Sequence, residues 1–225
     1  MKYIGIAIFW CMATMGMAQS SQFLKAGDSD PKAKKILDAL KKDYNSHKSI
    51  EVSFDLIIEL PGQPKETQGG KLIQQGEKYF VSLSDQEVYC DGKLLWLYLK
   101  SMKEAQLNNA ETGISEDFMS PKDMLRMYEN GKYAYAIIGD AVENGTNVTQ
   151  IEFKPLDKKS PYTKLRLSVN KKTNKAASLK IFSKDGSRYT LNVKNILPNK
   201  AYTPETFVFN AKKYPGVKVE DLRID

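Results

Sequence analysis

The sequence predicts a mainly β (α+β) fold: an incomplete antiparallel β-barrel of about eleven strands, with helices covering its concave apolar face. Three observations carry this expectation. Alternating apolar and polar runs recur along most of the chain and are joined by short glycine-containing turns, the pattern of sequential antiparallel strands. One run, Leu94 to Leu99 (LLWLYL), is apolar on both faces, so core must cover one side and something else the other. Two helical segments, one amphipathic and one rich in methionine, are available to close a sheet of the size at which strong twist curls it towards a barrel.

The first eighteen residues read as a cleaved signal peptide. Lys2 supplies the positive start, Ile4 to Met17 the short apolar stretch, and Gly16-Met17-Ala18 the small-x-small cleavage signal. Residues 19-225 are then expected to form one exported, soluble domain. After a polar leader, Asp30-Pro31 is an N-cap followed by proline at the first helical position, and the helix should run to about Asn45. Ala33, Ile36, Leu37, Leu40 and Tyr44 lie on one stripe of it.

Strand follows strand from Ile50 to Leu60, Thr67 to Gln75 and Lys78 to Ser84. A meander then runs from Gln86 to Leu107, its hairpin made by Asp91-Gly92, where glycine takes positive φ without a Cβ clash. The rhythm breaks after Asn108. Ser120-Pro121 starts a short helix, stopped by Gly131, that carries Met119, Met124, Leu125, Met127 and Tyr128. Clustered methionine suits a surface that repacks against different apolar shapes, and equally suits ordinary core packing. Strands resume at Tyr133 to Ile138, Val148 to Lys154, Tyr162 to Asn170, Ala176 to Ser183 and Ser187 to Ile196. Leu165, Leu167, Val169, Leu179, Ile181, Leu191 and Val193 share one face, and Lys164, Arg166, Arg188, Thr190 and Asn192 the other.

The formal net charge is +7, falling to +6 without Lys2, yet lysines are interleaved with acids almost throughout. That arrangement reads as a solvated surface and not as a nucleic-acid site. Of the two cysteines, Cys11 leaves with the signal peptide, so Cys90 has no intramolecular disulfide partner. His47, the only histidine, follows the first helix in a polar loop. No metal-ligand cluster, phosphate-binding glycine loop or paired-acid frame is present in the sequence, so neither a cofactor nor a metal is expected. Cys90 as a nucleophile is the one enzymatic reading available, against its role as a small buried hydrophobe.

Two stretches resemble a known family. Asp91 to Leu107 (DGKLLWLYLKSMKEAQL) is similar to the D-G-K-x-x-W-x-Y segment, and Tyr202 to Arg223 (YTPETFVFNAKKYPGVKVEDLR) to the phenylalanine-rich ending, of periplasmic lipoprotein carriers of the LolA type. The resemblance implies a half-open barrel whose lidded apolar face carries lipoprotein acyl chains from the inner to the outer membrane. It also implies an inner-membrane release complex, an outer-membrane acceptor and a monomeric carrier as the working arrangement. Phe54, Leu56, Ile58, Tyr79, Val81, Trp96, Tyr98, Met119, Met124 and Met127 are the candidate liners of such a cavity, each serving equally as structural core. Where the family carries a lid-binding arginine this chain reads Leu72-Ile73-Gln74-Gln75-Gly76, which puts that latch in doubt. The alternative on the same fold is a periplasmic sensor of lipid or lipoprotein.

Overall fold

Alternation and turn chemistry assemble the chain into a single twelve-stranded sheet. The structure, a computed structural model, describes residues 26–111 and 121–223; the expected signal peptide, the leader up to residue 25, Met119 and the Ser120 cap lie outside the described residues. The strands are β1 (Ile50–Glu59), β2 (Glu66–Gln75), β3 (Lys78–Ser82), β4 (Gln86–Cys90), β5 (Leu94–Leu99) and β6 (Glu104–Asn109) in the first half. The second half supplies β7 (Tyr133–Glu143), β8 (Thr146–Pro155), β9 (Tyr162–Asn170), β10 (Ala176–Ser183), β11 (Arg188–Pro198) and β12 (Lys218–Asp221). Their spatial order is β12-β6-β5-β4-β3-β2-β1-β11-β10-β9-β8-β7, so the sheet ends in β12 and β7 and stays open. Every pairing is antiparallel except that of β12 with β6. The expected mainly β, half-open antiparallel architecture with helices on one face is what the chain forms.

Residues directly opposite in an antiparallel ladder share a face, which defines an inner and an outer side. Two α-helices among the described residues, α1 (Pro31–Asn45) and α2 (Pro121–Arg126), cover the inner face of the second half. Ala33, Leu37 and Leu40 of α1 pack with Met127 and Tyr128 onto Tyr135, Ile151, Phe153 and Leu165. Asp30 does two jobs there. Its carboxylate caps α1 through Lys32 N at 2.7 Å and also accepts Ile137 N at 3.3 Å, while its own N–H donates to the Tyr135 carbonyl at 2.9 Å. The helix start thereby occupies the edge of β7 that would otherwise be free to pair.

The doubly apolar strand β5 finds its second cover in the chain's last stretch. After β11 the backbone crosses the outer face as a strap, through short 3-10 turns at Pro204–Phe207 and Ala211–Lys213, and ends as β12 beside β6. Phe209, buried beneath it, stacks on Trp96 and on Tyr214, and packs against Tyr89 and Tyr98. Two carboxylates pin the strap. Glu51 accepts Tyr202 Oη at 2.5 Å and Lys200 Nζ at 3.1 Å; Glu87 accepts Tyr89 Oη at 2.6 Å, Tyr214 Oη at 2.8 Å and Lys100 Nζ at 3.1 Å.

Three sequence expectations change. Among the described residues there are twelve strands instead of about eleven, because exposed β12 has no apolar alternation of its own and forms on the backbone edge that β6 offers. The second helix stops at Arg126, not at Gly131, so Met127 and Tyr128 lie in the turn beyond it. Strand β7 continues past Ile138 to Glu143, with a register shift between Ile137 and Gly139.

Candidate functional site

The stripe of α1 and the one-sided apolar faces of the second-half strands do not fill the space between them. A cavity of about 180 Å³ is left, walled by Leu37 and Leu40 of α1, Met124 and Met127 at α2, and Val52, Leu72, Leu167, Leu179, Leu191 and Val193 of the sheet. None of its lining residues carries a charge. Such a space takes hydrocarbon; the hydroxyls of Tyr44, Tyr128 and Ser178 among its lining residues already donate to Gln74, Asp38 and Glu143.

Polar links hold the cover over this cavity at its rim. Tyr128 Oη donates to Asp38 at 2.8 Å, and Lys41 pairs with Glu129 at 2.5 Å, tying α1 to the turn after α2. At the other end of α1, Tyr44 Oη donates to the side-chain carbonyl of Gln74, whose amide donates onward to the Gly76 carbonyl at 3.1 Å. Burial, and secondarily the Glu77 charge, raises the Tyr44 phenol well above its ordinary value, so it stays a neutral donor. Gln74 thus makes a helix contact from within the stretch where the sequence lacks the family arginine.

The candidate liners divide. Met124 and Met127 line the cavity. Phe54, Leu56 and Ile58 are on the same inner face, opposite Val193, Leu191 and Tyr189 of β11. Phe54, however, is core: its ring lies over Gly70, where an added Cβ would stand 2.3 Å from the ring. Tyr79 and Val81 are also inner, but belong to a separate apolar cluster with Val88, Cys90 and Leu95. Trp96 and Tyr98 are corrected: they point to the outer face, opposite Tyr89 and Glu87, and pack under the strap against Phe209. Because β5 is apolar on both sides, alternation could not tell which of its faces is inner. Met119 lies outside the described residues.

Sequence reasoning missed Leu72, Leu167, Leu179, Leu191 and Val193 as liners. Their shared face was readable, but not the fact that α1 and α2 would bridge over it without filling it. Cys90 is buried, with burial raising its thiol above the ordinary value and the Gly92 N–H donating to its sulfur at 3.4 Å, an environment for packing and not for a thiolate. His47 lies 3.7 Å from Asp43 and contacts Asn199 at 3.4 Å, at the exit of α1. No group of metal-binding side chains occurs among the described residues, and no described helix is long and apolar enough to cross a membrane.

A family model described as an uncharacterized protein matches residues 76–213. No curated protein matches the chain. Among solved structures, an uncharacterized conserved protein from Thermus thermophilus is 9% identical, with a TM-score of 0.55, over 84% of this chain and 99% of that one; the two share a fold. A LolA superfamily protein from Nitrosomonas europaea is 13% identical with a TM-score of 0.41, over 79% of this chain and 97% of that one. LprF from Mycobacterium bovis is 14% identical with a TM-score of 0.46, over 78% and 98%.

Proposed function

We propose that this chain, which belongs to the family whose model matches residues 76–213 and is described as an uncharacterized protein, is a non-enzymatic periplasmic carrier. It shields the acyl chains of lipoproteins in its apolar cavity and shuttles them from the inner to the outer membrane. The observation that carries the reading is the uncharged cavity under α1 and α2. Each buried CH₂ is worth about 0.8 kcal/mol, so free release of an acylated protein into water is prohibitive and a shielding protein is required. A cavity of about 180 Å³ is little larger than one that holds a benzene ring, roughly 150 Å³. Whole acyl chains therefore enter only as α1 and α2 lift from the sheet, which the few polar links at the rim allow.

The small volume also favours a second reading, a sensor that takes part of one chain and reports it. The test is calorimetric titration with an acylated lipopeptide and with the same peptide lacking its chains. Saturable binding of the first alone, lost in Leu191→Trp, is the expected result; binding of neither sinks both readings. Transfer of the bound lipopeptide to acceptor vesicles identifies the carrier, and retention the sensor. Trp96 is unsuited as the reporter because it sits on the other face of the sheet.

A further inference from the structure

Across the sheet from the apolar cavity, the same strands build a polar cleft of about 400 Å³ on the outer face. Its floor follows from alternation: Leu167, Leu179 and Leu191 face inward, so their neighbours Arg166, Lys180 and Thr190 face outward. Within the ladder Lys180 lies directly opposite Arg166 on one side and Thr190 on the other. Two cations side by side on a sheet repel each other, and the cost is borne unless an anion lies between them.

The counter-charges present answer this only in part. Glu152 accepts Arg166 Nη2 at 2.9 Å and Lys164 Nζ at 3.1 Å, and still leaves Arg166 Nε buried with no hydrogen-bond partner. Lys180, and Lys65 on the opposite lip, have no hydrogen bond or ion pair among the described residues. Glu143, at the tip of the β7–β8 hairpin, forms one wall; Gln150 at 2.7 Å, Ser168 at 2.8 Å and Ser178 at 2.7 Å donate to its oxygens, and its charge attracts Lys180 without a direct ion pair. Glu59 is the other carboxylate at the cleft. What is left over is donors: a guanidinium N–H, two ammonium groups and the Thr190 hydroxyl, coming from four different segments. Among the described residues of the cleft, the one buried donor without an acceptor is Arg166 Nε; Lys180 is half-buried and Lys65 exposed, so both ammonium groups are open to an anion entering the cleft.

We propose that this cleft binds a phosphoryl group. A tetrahedral oxyanion presents three or four oxygens and up to two charges to donors arriving from several directions, whereas a carboxylate presents two oxygens in one plane. Arg166 contributes its guanidinium charge from the floor and the lysines act as mobile point charges with ammonium donors. The group cannot belong to a lipid whose chains occupy the apolar cavity, because the sheet separates the two. It comes either from a soluble phosphate ester or from a phospholipid headgroup on a membrane that the outer face approaches.

The experiment titrates the full chain calorimetrically with glycerol 3-phosphate, with inorganic phosphate and with acetate, and floats it with vesicles of phosphatidylglycerol in phosphatidylcholine against phosphatidylcholine alone. Lys180→Gln and Lys65→Gln are compared with the parent. Binding of the soluble phosphates, weakened about tenfold by Lys180→Gln as expected for loss of one charge-assisted contact, supports the soluble source. Binding of phosphatidylglycerol vesicles alone, with the same loss, supports the headgroup source. Binding of neither, equal binding of acetate, or binding indifferent to both substitutions overturns the proposal. Lys180→Gln relieves a repulsion, so its melting temperature should match or exceed the parent's; Lys65→Gln, outside the strands, gives a second reading free of any effect on sheet pairing.

Discussion

The two halves of the sheet are covered by opposite means. On the inner face of the second half, two helices bridge over aliphatic side chains and touch the rim through a handful of polar links, leaving a cavity. On the outer face of the first half, an extended strap lays aromatic rings on aromatic rings, is pinned by two carboxylates and is finished by a strand of its own. A flat ring stacked on another leaves no space, whereas the helices leave a cavity beneath them. The contrast predicts that the strap is the firmer cover and that the helical cover, though anchored by Ala33, Leu37 and Leu40, opens more readily over the cavity.

The sharpest way to break this contrast is to truncate one residue in each half. Phe209→Ala should cost about 3–5 kcal/mol in urea unfolding, as for other buried phenylalanines. Met124→Ala, at the partly buried cavity wall, should cost about 1 kcal/mol from the smaller area involved, while weakening lipopeptide binding. Equal costs would mean that both covers are equally packed.

Where the two halves meet, Phe54 depends on the missing side chain of Gly70. Gly70→Val places its Cβ 2.3 and 2.4 Å from ring atoms of Phe54 and 2.9 Å from Leu83 Cδ2, so it should destabilise by about 1–3 kcal/mol. Phe54→Leu in the same chain should recover part of that loss; no recovery would show that the strain lies elsewhere.

A smaller effect probes the yielding cover. Tyr44→Phe removes the donor to Gln74 and should cost about 1 kcal/mol. Amide exchange should quicken in α1 while strap amides keep their protection. Uniform acceleration across both would argue that α1 does not open separately.

The least effect is one of pH. Burial pushes the Glu87 carboxyl up, but hydrogen bonds from Tyr89, Tyr214 and Lys100 outweigh it and hold the group below the ordinary carboxylate range. A carboxylate so depressed stabilises the fold fully above its unfolded value, about 4.3, and loses that contribution as the pH falls through its folded value. Acid should thus loosen the strap, seen as a change in Trp96 emission in the chain lacking residues 1–18, where it is the only tryptophan. Glu87→Gln should lose this acid component; an unchanged acid profile would assign it to another group.

How much of this was legible beforehand depended on what kind of information each feature needs. Asp30-Pro31, the Asp91-Gly92 turn and the single-sided strands could be read because capping, positive φ and period-two alternation are local. Asp91 accepts both Lys93 N and Leu94 N at 2.8 Å and its own N–H donates to the Leu94 carbonyl at 3.2 Å, so the turn forms where expected but is centred on Gly92-Lys93, with Gly92 at positive φ. The far end of β7 was missed because Gly139 and Asp140 interrupt its apolar pattern. β12 was missed because Lys218 to Asp221 are all exposed and form a strand only where β6 provides partners.

By itself, then, the sequence determined the strands, the stripe of α1, the turn positions and which side chains of a strand share a face. Only the tertiary structure decided which face is inner, that Trp96 and Tyr98 lie under the strap, that Met124 and Met127 border a cavity, and that Arg166 and Lys180 meet in a cleft. The physical reason is that alternation encodes relative orientation along one strand. Absolute orientation is set by contacts between residues far apart in the chain, such as β1 with β11 and β5 with Phe209.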